Sequence, residues 1–205
     1  MSQAAIIGVV VLMMMSSSVG AVALMMGGEG DKGPTGPTGP APPSGPPKGR
    51  YVKLEHTVAY DDSAMLDDGT TEGNLDDKNR IINLAELEVF DASGTNLAAS
   101  KTVTGSSEYP PPHVWSNLTD GNKTNFAHTL GRTPSEYDSM TVDLGAEKEI
   151  KKLVITNRTS CCKNRAVGVK AVILAADGTT VVKETPAITT TADTYTLTFP
   201  GNTWS

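Results

Sequence analysis

From Arg50 to Ser205 apolar residues recur at every second position in short runs, and no long stretch holds a helical period. Such alternation marks strands with one buried face, because successive side chains leave a strand on opposite sides. Val52, Leu54, His56 and Val58 share one face of a first strand. In the next, Leu84, Glu86 and Glu88 alternate with Ala85, Leu87 and Val89, and Asp91-Ala92-Ser93-Gly94 closes it. Met140, Val142 and Leu144 follow, then Leu153 and Ile155. Val167, Val169, Ala171 and Ile173 lead to a turn at Asp177-Gly178 that Val181 answers, and Tyr195, Leu197 and Phe199 finish the chain. About eight short strands separated by polar, glycine-bearing loops predict an all-β antiparallel sandwich of the jelly-roll kind. About 155 residues suffice for one core.

The preceding residues differ in kind. Ala4 to Met26 is 23 residues without a charge. At about 1.5 Å per residue such a helix reaches about 35 Å, enough for a hydrocarbon core of about 30 Å. A retained single-pass anchor is expected rather than a cleaved secretory signal. Met1-Ser2-Gln3 carries no Lys or Arg, although Ala21-Val22-Ala23 has the shape of a cleavage site. Beyond it, 15 of the 23 residues from Gly27 to Gly49 are Gly or Pro. Gly27, Gly30, Gly33, Gly36 and Gly39 keep a period of three, with Pro34, Pro37 and Pro40 after them, which is triple-helix register. The run is short, so a semi-rigid spacer is expected, with a trimerising segment (a homotrimer) as the alternative. The domain reading is therefore 1–28 anchor helix, 29–49 collagen-like linker and 50–205 β-sandwich, the last facing outside.

Charge and rare residues exclude several functions. With 17 Lys and Arg against 23 Asp and Glu, the net charge of −6 argues against nucleic acid. Two cysteines cannot build a disulfide-rich scaffold or a thiolate zinc site of the usual four-ligand kind. His56, His113 and His128 fall in separate segments outside any nucleophile or metal motif, so no enzyme is expected. His56 reads as a packed strand residue, His113 as exposed after three prolines, and Trp115 and Trp204 as packing residues.

Two loops carry chemistry. Trp115 to Asn122 contains Asn117, Asp120 and Asn122 in a tight turn. These oxygens suit Ca2+, or alternatively an Asx-rich turn that satisfies its own backbone. Asn117, Asn122 and Asn157 also begin N-glycosylation triplets. The second loop runs from Asn157 to Arg165 through Arg158, Ser160, Cys161 and Cys162. Adjacent cysteines in an oxidising compartment can close a vicinal disulfide, a small apolar platform, and flanking guanidinium forks can grip vicinal hydroxyls. Sugars need both surfaces.

LTDGNKTNFAHT, MTVDLGAEKEIKKLVITNR and CCKNR together resemble the fucose-binding F-type lectins, a branch of the discoidin (factor V/VIII type C, galactose-binding-like) jelly rolls. The resemblance runs from about Tyr51 to Phe199 and implies the fold. It implies ligand binding by His128, Arg158, Ser160, Cys161, Cys162 and Arg165, and calcium at Asn117, Asp120 and Asn122. It also implies that the guanidinium pair and the sulfur pair converge on one rim. The sequence departs from the family pattern at Ser160, where an acid is expected, at His128, 30 positions before Arg158, and at Ser139-Met140 before Val142-Asp143-Leu144-Gly145.

The functional expectation is a membrane-anchored lectin for fucose- or galactose-type glycans. The alternative is a structural, membrane-anchored virion or minor capsid protein of a large DNA virus, with the jelly roll contacting other virion or surface proteins.

Overall fold

The computed structural model describes residues 45–57, 81–130 and 138–205. The anchor, most of the linker and Val58 lie outside the described residues. Among the described residues no helix is long and apolar enough to cross a membrane.

The described strands are β1 (Lys48–His56), β2 (Asn83–Phe90), β3 (Val103–Gly105), β4 (Ala127–His128), β5 (Ser139–Glu149), β6 (Lys152–Asn157), β7 (Val169–Leu174), β8 (Val181–Glu184) and β9 (Thr194–Thr198). They form a five-stranded sheet of order β3-β5-β1-β7-β8 and a four-stranded sheet of order β4-β2-β6-β9. Every pairing is antiparallel.

The alternation read from the sequence selects the buried face in most strands, but in β2 a bulge between Leu84 and Glu86 brings Leu84 into the core with Leu87 and Val89. Val52 and Leu54, Met140, Val142 and Leu144, Leu153 and Ile155, Val169, Ala171 and Ile173, and Tyr195, Leu197 and Phe199 all belong to one core. Each such side chain contributes about 1.5–3 kcal/mol by leaving water. Val167, half-buried before β7, stays outside that core, and Val181 is a second exception. It lies on the edge strand β8 and is 51% exposed. His56 is buried on the core-facing side of β1, as its position among apolar residues predicts. Trp115 and Trp204 pack against the core, as expected.

Two devices hold β1 between its neighbours. Arg50 grips the Asp143 carboxylate with Nε and Nη2, both at 2.8 Å, and this fork holds the Asp143 carboxyl below the usual carboxylate range. At Gly49 the backbone lies so close to β7 that a Cβ would meet the Ile173 side chain and stand 2.7 Å from the Leu174 carbonyl. A bulge between Gly49 and Tyr51 accompanies this approach.

Candidate functional site

The end of β6, the start of β2 and the short strand β4 meet at one end of the four-stranded sheet. Asn83 pairs with His128 and Leu84 with Asn157. The loop 158–168 leaves from β6, and the loop 106–126 leads into β4. Both loops therefore grow from the same few residues of sheet.

The cysteine pair is joined. Cys161 and Cys162 form a disulfide, and Cys162 takes a left-handed backbone (φ 61°) at the start of a single 3-10 turn, Lys163–Ala166. That turn carries Arg165, whose N–H donates to the Cys162 carbonyl at 3.1 Å. Asn157 ties the loop down from below. Its amide donates to the Lys163 carbonyl at 2.8 Å and to the Ala192 carbonyl at 2.9 Å.

One of the two arginines reaches the His128 imidazole. Arg165 Nη1 lies 3.4 Å from His128 Nε2. His128 Nδ1 contacts the Thr129 carbonyl. A carbonyl only accepts, so Nδ1 carries the proton and Nε2 accepts from Arg165. His128 is 7% exposed, and burial, then the charges of Arg165 and Arg158, pull its pKa down to about 4 against the bond to Thr129. The imidazole is neutral at physiological pH. The resemblance made His128 a direct ligand donor. Here its donor is engaged internally, and its second nitrogen positions Arg165.

Arg158 lies over the Phe126 ring, 4.1 Å from the centroid, and its Nε donates to Ser160 Oγ at 2.7 Å. The hydroxyl that replaces the family's acid thus still orients the arginine. His113 stacks on Phe126 at 4.0 Å, and Tyr109 lies 4.5 Å from His128. His113 was expected to be exposed. It is half-buried in this aromatic cluster because the chain after Pro110-Pro111-Pro112 folds back on β4, where the His128 N–H donates to the His113 carbonyl. Burial and then the Arg158 charge lower its pKa.

The second loop lies over the outer face of β2. Asp120 Oδ1 accepts from the Asn122 N–H at 2.8 Å, and Oδ2 from Asn125 Nδ2 at 2.7 Å. Asn122 Oδ1 accepts from the Thr124 N–H and hydroxyl at 3.0 and 2.6 Å. These are the self-satisfying Asx contacts of the alternative reading. Asn117 is buried, and its amide donates to the Pro112 and Phe126 carbonyls at 2.7 and 3.0 Å. It braces the loop instead of facing out. Of the three glycosylation triplets, those at Asn117 and Asn157 are buried and only Asn122 is exposed.

Sequence reasoning missed Glu86. It is 1% exposed beneath this loop, and both carboxylate oxygens accept from the Gly121 N–H at 3.2 Å. Burial raises its pKa to about 7, and the neighbouring Asp120 adds to the rise. Lys123 holds the adjacent Glu88 at 2.7 Å. Among the described residues no group of three His, Cys, Asp or Glu forms a metal cluster. A hard cation here would draw on Asp120, Glu86 and backbone carbonyls, a donor set of the kind calcium accepts.

No curated protein matches the chain. Residues 117–204 do match the family model of the NedA-like, galactose-binding domain. That stretch spans β4 to β9, the whole loop 158–168 and the loop into β4 from Asn117 onward, but not β1, β2 or β3. The match supports a discoidin-like, galactose-binding-like β-sandwich of the F5/F8 type C kind.

Proposed function

We propose that this sandwich is a carbohydrate-recognition module for fucose- or galactose-type glycans. One observation carries the reading: Arg165 reaches His128 and Arg158 lies over Phe126, 6.1 Å from the His128 ring, at the two ends of a loop that holds the Cys161–Cys162 bridge. The guanidinium forks donate to vicinal hydroxyls, and the bridge offers an apolar surface to the C–H face of the ring. His128 holds Arg165, Ser160 holds Arg158, and Phe126 supports the Arg158 fork from below. A glycan array with oxidised protein is the test. Selective binding, lost in Arg158→Ala and in Arg165→Ala, is expected. A well-folded, oxidised protein that binds no glycan ends the reading.

Calcium belongs to the same proposal. Asp120, Glu86 and the carbonyls of the 117–125 loop would hold it, and the ion would supply a rigid frame. Through Asn117 and Phe126 that frame connects to Arg158. The anchor, the collagen-like spacer and an outward-facing domain complete the proposed arrangement, with presentation of the site at a distance from a membrane as its purpose.

A second reading makes the domain a protein-contact block of a virion or other assembly. The outer face of the five-stranded sheet favours it, with a shallow groove of about 530 Å³ lined by residues such as Tyr51, Leu174 and the exposed Val181. Cross-linking of the native assembly separates the two: contacts mapped to β8 support the block, contacts confined to glycan support the lectin.

A further inference from the structure

Asn83 begins β2 and is fully buried, at 0% exposure. Among the described residues neither Oδ1 nor Nδ2 of its amide has a hydrogen-bond partner. A buried amide left in this state is destabilising, so a fold that retains one has something to complete it.

The register says where the amide lies. Asn83 is directly opposite His128 on β4, and Leu84 is opposite Asn157 on β6. Opposed residues in antiparallel strands project to the same face. His128 and Asn83 thus form a short row at the end of the four-stranded sheet, and Arg158 follows directly on Asn157, the last β6 residue paired with β2 there. His113 Nδ1, in the aromatic cluster beside this row, is also buried with no partner among the described residues.

We infer that Asn83 is the floor of the candidate sugar site, and that a ligand hydroxyl, or one ordered water which that hydroxyl displaces, completes its amide. This rests on the carbohydrate reading and narrows it. The Oδ1 of an amide needs a donor and its NH2 needs acceptors. A hydroxyl supplies both, whereas a sulfate or carboxylate only accepts. The row therefore selects neutral vicinal hydroxyls over anionic sugar substituents.

Isothermal titration of the full, oxidised chain tests this with methyl α-L-fucoside, methyl β-D-galactoside and the 3-O-sulfated galactoside. The wild type should bind a neutral glycoside more tightly than the sulfated one. Asn83→Leu should weaken the neutral glycoside by about tenfold or more, with a melting temperature equal to or above that of the wild type. Should Asn83→Leu not fold, Asn83→Ser replaces it, with unchanged melting temperature and a loss of at least about threefold expected. Wild-type affinity in the variant overturns this inference alone. So does a variant melting temperature lowered by several degrees, since the amide then has a protein partner. Wild-type protein that binds none of the three glycosides overturns the carbohydrate reading with it.

Discussion

Arg158 Nε donates to Ser160 Oγ at 2.7 Å, two residues along the same loop. A neutral hydroxyl therefore orients a guanidinium where the resembled family places a carboxylate. Arg158→Ala removes a charged donor and should weaken glycan binding by about ten- to a hundredfold. Ser160→Ala removes only the orienting bond and should cost about three- to tenfold. Titration calorimetry of both variants checks the ranking, and equal losses would mean that Ser160 touches the ligand itself.

Two buried groups give stability opposite dependences on pH. The Glu86 carboxyl is raised from 4.5 to about 7, so its contribution is full below pH 4.5 and is lost as pH rises through 7. His128 is lowered from 6.5 to about 4, so its contribution is full above pH 6.5 and is lost as pH falls through 4. Between pH 4.5 and 6.5 the two slopes oppose, each amounting to up to about 3 kcal/mol. Urea unfolding should show stability rising with pH in Glu86→Gln and falling in His128→Gln. The wild type should lie between them, and parallel curves for all three proteins would exclude this balance.

The family match stops short of a foldable unit. β1 lies between β5 and β7, and β2 lies between β4 and β6. A fragment of residues 117–204 lacks both interior strands and should give no dispersed amide spectrum by NMR. Adding residues 42–116 should restore it. A folded 117–204 fragment would mean that β5 and β7 can pair directly.

Close approach at Gly49 sets another outcome. Gly49→Ala drives a methyl into Ile173 and the Leu174 carbonyl and should destabilise by about 2–4 kcal/mol. Gly45→Ala meets nothing within 4 Å and should change stability by less than about 0.5 kcal/mol. Chemical denaturation of the two variants provides the comparison.

If calcium occupies the 117–125 loop, addition of the ion to EGTA-treated protein should raise the melting temperature by several degrees. Asp120→Ala should abolish the rise. A rise that persists in Asp120→Ala locates the ion elsewhere.

Local patterning carried most of the strand assignment. Val52-x-Leu54, Met140-x-Val142-x-Leu144 and Leu153-x-Ile155 bury the very side chains that the period of two selects, because pleating leaves each strand one face for the core. The loop chemistry was readable to the extent that its members are neighbours in the chain: Arg158, Ser160, Cys161, Cys162 and Arg165 all fall within eight residues.

Long-range neighbours were hidden. Glu86 looked like an outward strand residue, since nothing local announces that Gly121, 35 positions away, will cover it. The same holds for Phe126 beneath Arg158 and for Asn83 opposite His128. Alternation assigns a face to each residue, but strand order and loop return decide what that face meets. These depend on closing loops of tens of residues and on packing two sheets around one core, and no short window of sequence contains either.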